Sequence, residues 1–403
     1  MSAPVATDAI RSEQVSIPPG HVAARLSWIG WGVGGAALVL TLALGGGHHK
    51  QFAFSWLVAF LYFLSIALGG LFFVLIHFAM QGGWGIVVRR LAENTMATVP
   101  LFAALFVPIL VHRHDLYPWL ADAASADRLL RWKAPYLNLS FFAIRAAVAF
   151  SCWSAVALLY LRASRKQDRT GDPALSVAMR RFAGPAIVCV ALTQTFSAID
   201  WIMSLEPSWY STMFGVYWFA GSLVTFFAFL ALVVVALRAT GLLTDVIGVE
   251  HFHDLGKLLF AFTVFWAYIG FSQYFLIWYG NIPEETIFFR QRLAGSWRTA
   301  SFVLAAGHFV VPFFFFMSRS IKRRPGLLAA GAAWLLLMHL VDVSWLVMPT
   351  LHPDGVHVGV VDVTAWIAVG GLFLGTFSRL ATGAPLIPIR DPRLSESLTF
   401  ENF

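Results

Sequence analysis

Asp200, Asp342, His308 and His339 can each hold or release a proton, and each lies within or at the end of a long apolar run. An ionisable side chain inside a hydrocarbon layer costs about 2.5–3.5 kcal/mol on insertion scales, so such groups face protein or water and commonly serve function. Around Asp200, the residues Thr193, Gln194, Ser197, Asp200 and Ser204 recur at three- and four-residue steps, which predicts one polar stripe along a helix. His339 and Asp342 are three residues apart and share a face of another helix. In such a stripe carboxylate and imidazole carry the proton, while Ser, Thr and Gln order water between them. The same spacing also suits hydrogen bonds between helices that only fix the packing.

Arg145 keeps its proton under all ordinary conditions, so inside a span it needs a carboxylate or a ring of carbonyls. Asp200 is the economical partner, and such a pair serves register as readily as catalysis. His308 reads as a lone midspan histidine satisfied by packing; haem ligation would require a second histidine at matching depth, for which His339 is a marginal candidate. His77, Lys257 and His253 fall toward one end of their runs, where Lys257 can snorkel to the interface. Asp362 opens the last apolar run and is placed to stabilise a helix N-terminus. The stretch "FSQYFLIWYGNIPEE" (271–285) reads as a loop with an aromatic belt, Tyr274, Trp278 and Tyr279, then a Gly-Asn turn and two exposed carboxylates, Glu284 and Glu285. Such a rim can dock a partner.

These residues need a scaffold, and composition says which. Of 403 residues, 59% are hydrophobic and 12% charged, against about 25% charged in an average soluble domain. Mean hydropathy is +0.73. A span needs about 20 helical residues, and apolar runs of that length recur at roughly 27–46, 52–80, 94–112, 136–161, 182–204, 211–237, 255–279, 298–318, 325–347 and 358–380. No strand-like alternation of polar and apolar residues occurs, so a barrel is excluded. The fold class is an all-α integral membrane protein of about ten helices, with tails at 1–25 and 386–403. Residues 84–92 (WGIVVRRLA) read as a short interfacial helix, with Trp84 as anchor and Arg89 and Arg90 facing headgroups. The first apolar run begins near Ser27 with no cleavage pattern after it, so the N-terminal tail is expected to be uncleaved. Cys152 and Cys189 lie inside apolar runs and form no CxxC or CxxCH pattern, so no iron–sulfur, zinc or c-type haem site of the chain's own is expected.

The net charge of +7 does not imply nucleic acid, because basic residues collect in cytoplasmic loops. Nineteen of the 28 Lys and Arg fall in the even loops and the two tails and eight in the odd loops, with Arg145 inside a span. Both termini are therefore expected on the cytoplasmic side of the membrane. An internal repeat is also legible. Asp200 is followed seven residues later by Pro207, and Asp342 seven residues later by Pro349. Arg131 stands nine residues before Ser140–Phe141, as Arg292 stands before Ser301–Phe302. Helices 2–5 (about 52–204) and 6–9 (about 211–347) then form two tandem four-helix bundles, with helices 1 and 10 added at the ends.

"FSQYFLIWYGNIPEET" (271–286) and "AIDWIMSLEPSWYSTMFG" (198–215) resemble the F-type NrfD-like (PsrC-like) membrane subunit of bacterial alternative complex III, ActF, over residues 25 to 385. That complex oxidises quinol or menaquinol and passes electrons to cytochrome c or a terminal oxidase. The resemblance implies a ten-helix fold of two related bundles and a subunit without its own redox group. It implies partners too: a C-type NrfD-like sister subunit, an iron–sulfur protein, and multihaem and monohaem cytochrome c subunits carrying the haem c and the clusters. It further implies a proton path, in which Asp200 matches the family's helix-5 Asp and His339 with Asp342 form a second polar set. The alternatives are a proton-coupled secondary transporter and a structural anchor. Broken helices at matched midplane positions would mark a transporter, and Pro207 and Pro349 instead lie at helix ends. A proton path predicts that Asp200→Asn lowers turnover or coupling.

Overall fold

A computed structural model describes residues 12–121 and 127–402; the first eleven residues of the expected N-terminal tail lie outside them. The chain is 80% helical, with no strand among the described residues. Among the described residues, ten helices are long and apolar enough to cross a membrane. They are α1 (Val22–Gly45), α2 (His49–Met80), α3 (Ile86–Met96, carried on by Val99–Leu105 and Val107–Val111), α4 (Leu139–Thr170) and α5 (Pro173–Trp201). After these come α6 (Phe214–Ala239), α7 (Val249–Gly280), α8 (Gly295–Leu304, continued by Ala305–Val310 and Val311–Met317), α9 (Pro325–Val347) and α10 (Val360–Ala381). The all-α, multi-pass membrane class is thus the observed one.

Local chemistry sets the joints. Gly171 ends α4 at φ +69°, and the Asp172 carboxylate accepts the Ala174 N–H at 2.9 Å to start α5 with Pro173 in its first turn. The basic stretch 162–169 is therefore helix, and the expected loop between spans four and five shrinks to a two-residue turn. Asn281, at φ +47°, ends α7 at Gly280, so most of the expected loop from 271 is helix as well. Asp362 caps α10 as expected, accepting the Gly359 N–H at 2.7 Å.

The strongly apolar helix α2 occupies the centre; 94% of its most apolar window is buried. It packs on α3, α5, α6, α9 and α10. Around it, α3, α4 and α5 pack together on one side, and α6 to α9 pack on the other. A Cβ at Gly69 of α2 would overlap the Ser222 carbonyl of α6, so glycine is what lets these two backbones meet. The terminal helices α1 and α10 cross each other at Gly30 and Gly34 against Gly371 and Gly375, each with the partner's backbone within 3.0 Å of where a Cβ would stand or, at Gly375, with Trp31 there.

One expectation fails here. Residues 86–96 are the buried start of α3, and no interfacial helix forms. Arg89 and Arg90 are enclosed, and both bind Glu93, at 3.0 and 2.8 Å, while Arg89 also reaches Asp391 and Arg90 reaches Asp168, each at 2.7 Å. Two arginines are tolerated inside because three carboxylates meet them. The C-terminal tail is docked, with Leu386, Ile387, Leu394 and Ser397 buried and the Leu386 N–H bonded to the Val15 carbonyl. The two arginines of the expected repeat have different surroundings: Arg131 is exposed, whereas Arg292 is buried and donates to the Trp345 and Leu346 carbonyls.

Candidate functional site

The bonds between elements define two faces. On the basic face the ends of α2, α3, α4 and α7 meet the C-terminal strap, through Arg90–Asp168, Arg89–Asp391 and Lys257–Asn402. The opposite face joins the other ends, through Arg292–Glu206 and Tyr210–Glu285.

The principal polar cluster lies between α2, α6, α7, α8 and α9. Asp342 and His339, one turn apart on α9, approach at 3.7 Å, and both are buried. The Tyr217 hydroxyl of α6 and the Trp266 indole N–H of α7 (3.2 Å) donate to the Asp342 carboxylate. His339 Nε2 meets the Ser65 hydroxyl at 3.0 Å, and Ser65 lies 3.3 Å from the Thr225 hydroxyl. Thr225 in turn donates to the Ser222 carbonyl, and the Ser222 hydroxyl receives the Gln194 amide at 3.3 Å. Polar groups therefore run from α5 to α9 across the α2–α6 contact. The sequence presents these as two separate stripes, and Ser65, Ser222, Thr225, Tyr217 and Trp266 were not singled out. Their signal was weak, since a lone Ser, Thr or Tyr in a span usually bonds its own backbone or belongs to an aromatic belt.

His308 corrects an expectation. It is neither lone nor satisfied: it is fully buried, neither ring nitrogen has a hydrogen-bond partner among the described residues, and its ring lies 3.9 Å from Trp266 and 6.3 Å from His339. It sits in a π-helical turn, Ala305–Val310. Pro312 explains the turn, because proline lacks an N–H and crowds the carbonyl four residues back, and the wider turn relieves this. The Trp334 indole bonds the Gly307 carbonyl at 2.7 Å. His339 places Nε2 on Ser65 at 3.0 Å, with Nδ1 3.7 Å from the Asp342 carboxylate.

The second cluster is a lock. Arg145 of α4 donates twice to Asp200 of α5, at 2.6 and 2.9 Å, as expected, and to the Tyr136 carbonyl at 3.1 Å. Its guanidinium lies between the rings of Tyr136 and Phe141, at 3.9 and 4.2 Å. Beside it burial, with help from Asp200, pushes the Tyr117 phenol up. Ser197 is buried on this helix. Thr193 turns instead to α4, where it accepts the Trp153 indole N–H at 2.8 Å, so the stripe is narrower than its spacing suggests. Cys152 and Cys189 bring their sulfurs to 3.0 Å on the same α4–α5 seam, and Cys189 is exposed.

The remaining candidates are scattered. His77, buried without a partner on either ring nitrogen, lies at the basic face. Lys257 is half-exposed there and pairs with Asp254. Trp278, Tyr279 and Glu284 are exposed at the opposite face, but Glu285 is half-buried and accepts from Tyr210 at 3.3 Å. Nearby, burial pulls the Arg292 guanidinium down to about 10 against the pull of Glu206, so it stays charged at neutral pH. Among the described residues, no three His, Cys, Asp or Glu converge as a metal site.

No protein-family model matches the chain, and no curated protein aligns with it. Fold and site together define a multi-pass, all-α membrane protein with buried ionisable clusters.

Proposed function

We propose that this chain is a membrane subunit of a quinol-oxidising electron-transfer complex, of the F-type NrfD-like kind, in a bacterial inner membrane with both termini in the cytoplasm. Its task is to support quinol oxidation and carry protons. Quinol or menaquinol gives its electrons to iron–sulfur clusters and haem c on partner subunits, and this chain supplies groups that accept or pass on the protons. The two sequence motifs support the family. The proton role rests on one observation: Asp342, His339 and the unpartnered His308 form a buried cluster reached through Ser65 and Thr225.

Asp342 is held by a phenol and an indole, with the His339 imidazole at 3.7 Å and no Lys or Arg paired with it among the described residues, so it can change protonation without releasing a fixed guanidinium or ammonium. Asp200, clamped by Arg145, cannot do so cheaply. That favours the structural-anchor reading for the α4–α5 seam and moves the proton role to α9.

The test has two arms. Mild-detergent purification followed by haem staining should show a multihaem cytochrome and an iron–sulfur protein co-purifying; their absence rejects the assembly. In the assembled complex, Asp342→Asn should lower quinol-driven proton release about a hundredfold, the scale of losing one positioned proton-transfer group. Wild-type release rejects the path.

A further inference from the structure

A cavity of about 270 Å³ opens at the basic face between the end of α2, the first turns of α5 and the C-terminal strap. Three guanidinium groups line it, Arg89, Arg180 and Arg393, against one carboxylate, Asp391. That carboxylate is already engaged, by Arg89 at 2.7 Å and by the Arg393 backbone N–H at 2.9 Å. Arg393 is itself spent on Glu396 and the Gln81 carbonyl.

What remains unspent are donors. His77 lines the cavity, is only 7% exposed, and has no partner on either ring nitrogen. Arg180 gives one N–H to Gln81 at 3.0 Å and has the others free. Ser176 accepts from Gln167 and keeps its own O–H to donate. A buried imidazole without a bond is a standing desolvation penalty, and a ligand with acceptor oxygens would remove it. Phe78, Ile86 and Val177 form the apolar part of the wall, and Val177 among them is exposed.

We infer that this cavity binds the phosphate group of an anionic phospholipid, with His77, Arg180 and Ser176 as donors and the acyl chains running out past Val177. Positive surplus selects an anion, and the apolar rim selects one that carries a tail.

The experiment uses the full chain purified in mild detergent, delipidated and placed in nanodiscs of phosphatidylcholine doped with phosphatidylglycerol. Retained lipid is then counted by native mass spectrometry. Wild type should retain phosphatidylglycerol in preference to phosphatidylcholine. Arg180→Glu should lower that retention about tenfold, the scale of one charge-assisted hydrogen bond. Ser176→Ala should lower it less, Arg180→Lys should largely preserve it, and Arg319→Glu, an exposed charge outside the cavity, should leave it unchanged. Displacement by inorganic phosphate, with the same dependence on Arg180, keeps the anion site and makes soluble phosphate its source. Equal retention by wild type, Arg180→Glu and Ser176→Ala overturns the assignment.

Discussion

At the scale of residues, the two aspartates that each stand seven residues before a proline have different neighbours, and those neighbours set what a substitution should do. Asp200 faces a guanidinium at 2.6 Å. Removing one partner of a buried ion pair strands the other, at about 3–5 kcal/mol. Arg145→Gln and Asp200→Asn should therefore each lower the melting temperature in detergent, while Arg145→Met with Asp200→Leu should recover much of the loss; equal damage in single and double variants would contradict the lock. Asp342 is held by neutral donors, so Asp342→Asn should melt near the wild type while losing proton release. The same logic applies to Glu93, which accepts from both Arg89 and Arg90. Glu93→Gln should block stable expression, read as loss of the monodisperse peak in size-exclusion chromatography.

At the scale of elements, glycine sets the distance between helices. Gly34 stands where a Cβ would come within 2.6 Å of the Leu372 nitrogen, whereas Gly32, half a turn away, faces open space. Gly34→Leu should separate α1 from α10 and lower the melting temperature, and Gly32→Leu should be nearly silent. Equal effects would mean that the crossing is not packed as described. The π turn of α8 is an element-scale device too, because it follows from Pro312 and places His308 beside Trp266 and His339. A sequence shows the proline, but not that the relief will appear four residues upstream and expose a histidine to a cluster.

At the scale of the whole molecule, the basic loops share a face because the helices reverse direction at each turn. With Cys152 and Cys189 replaced, a cysteine at exposed Gly241 should react with an impermeant reagent only from the cytoplasmic side, and one at exposed Glu284 only from outside. The reverse pattern would invert the topology. The strap at 386–402 belongs to this scale as well. Its residues are mixed in polarity, and they bury because Arg89 of α3 and the Trp84 carbonyl just before that helix serve as partners for Asp391 and Ser397.

Span number, helix type and the Arg145–Asp200 pair were legible in the residues alone, because hydropathy and i, i+3 spacing are local quantities and a buried cation needs a near counter-charge. Tertiary structure alone decided that residues 86–96 go inside, that Gln194 and His339 belong to one polar chain, and that His308 has a neighbour. Each of these depends on which helix faces which, and side chains from α2 and α6 bring together groups more than a hundred residues apart. The bilayer selects helices from composition; only packing selects the partners of what they carry inside.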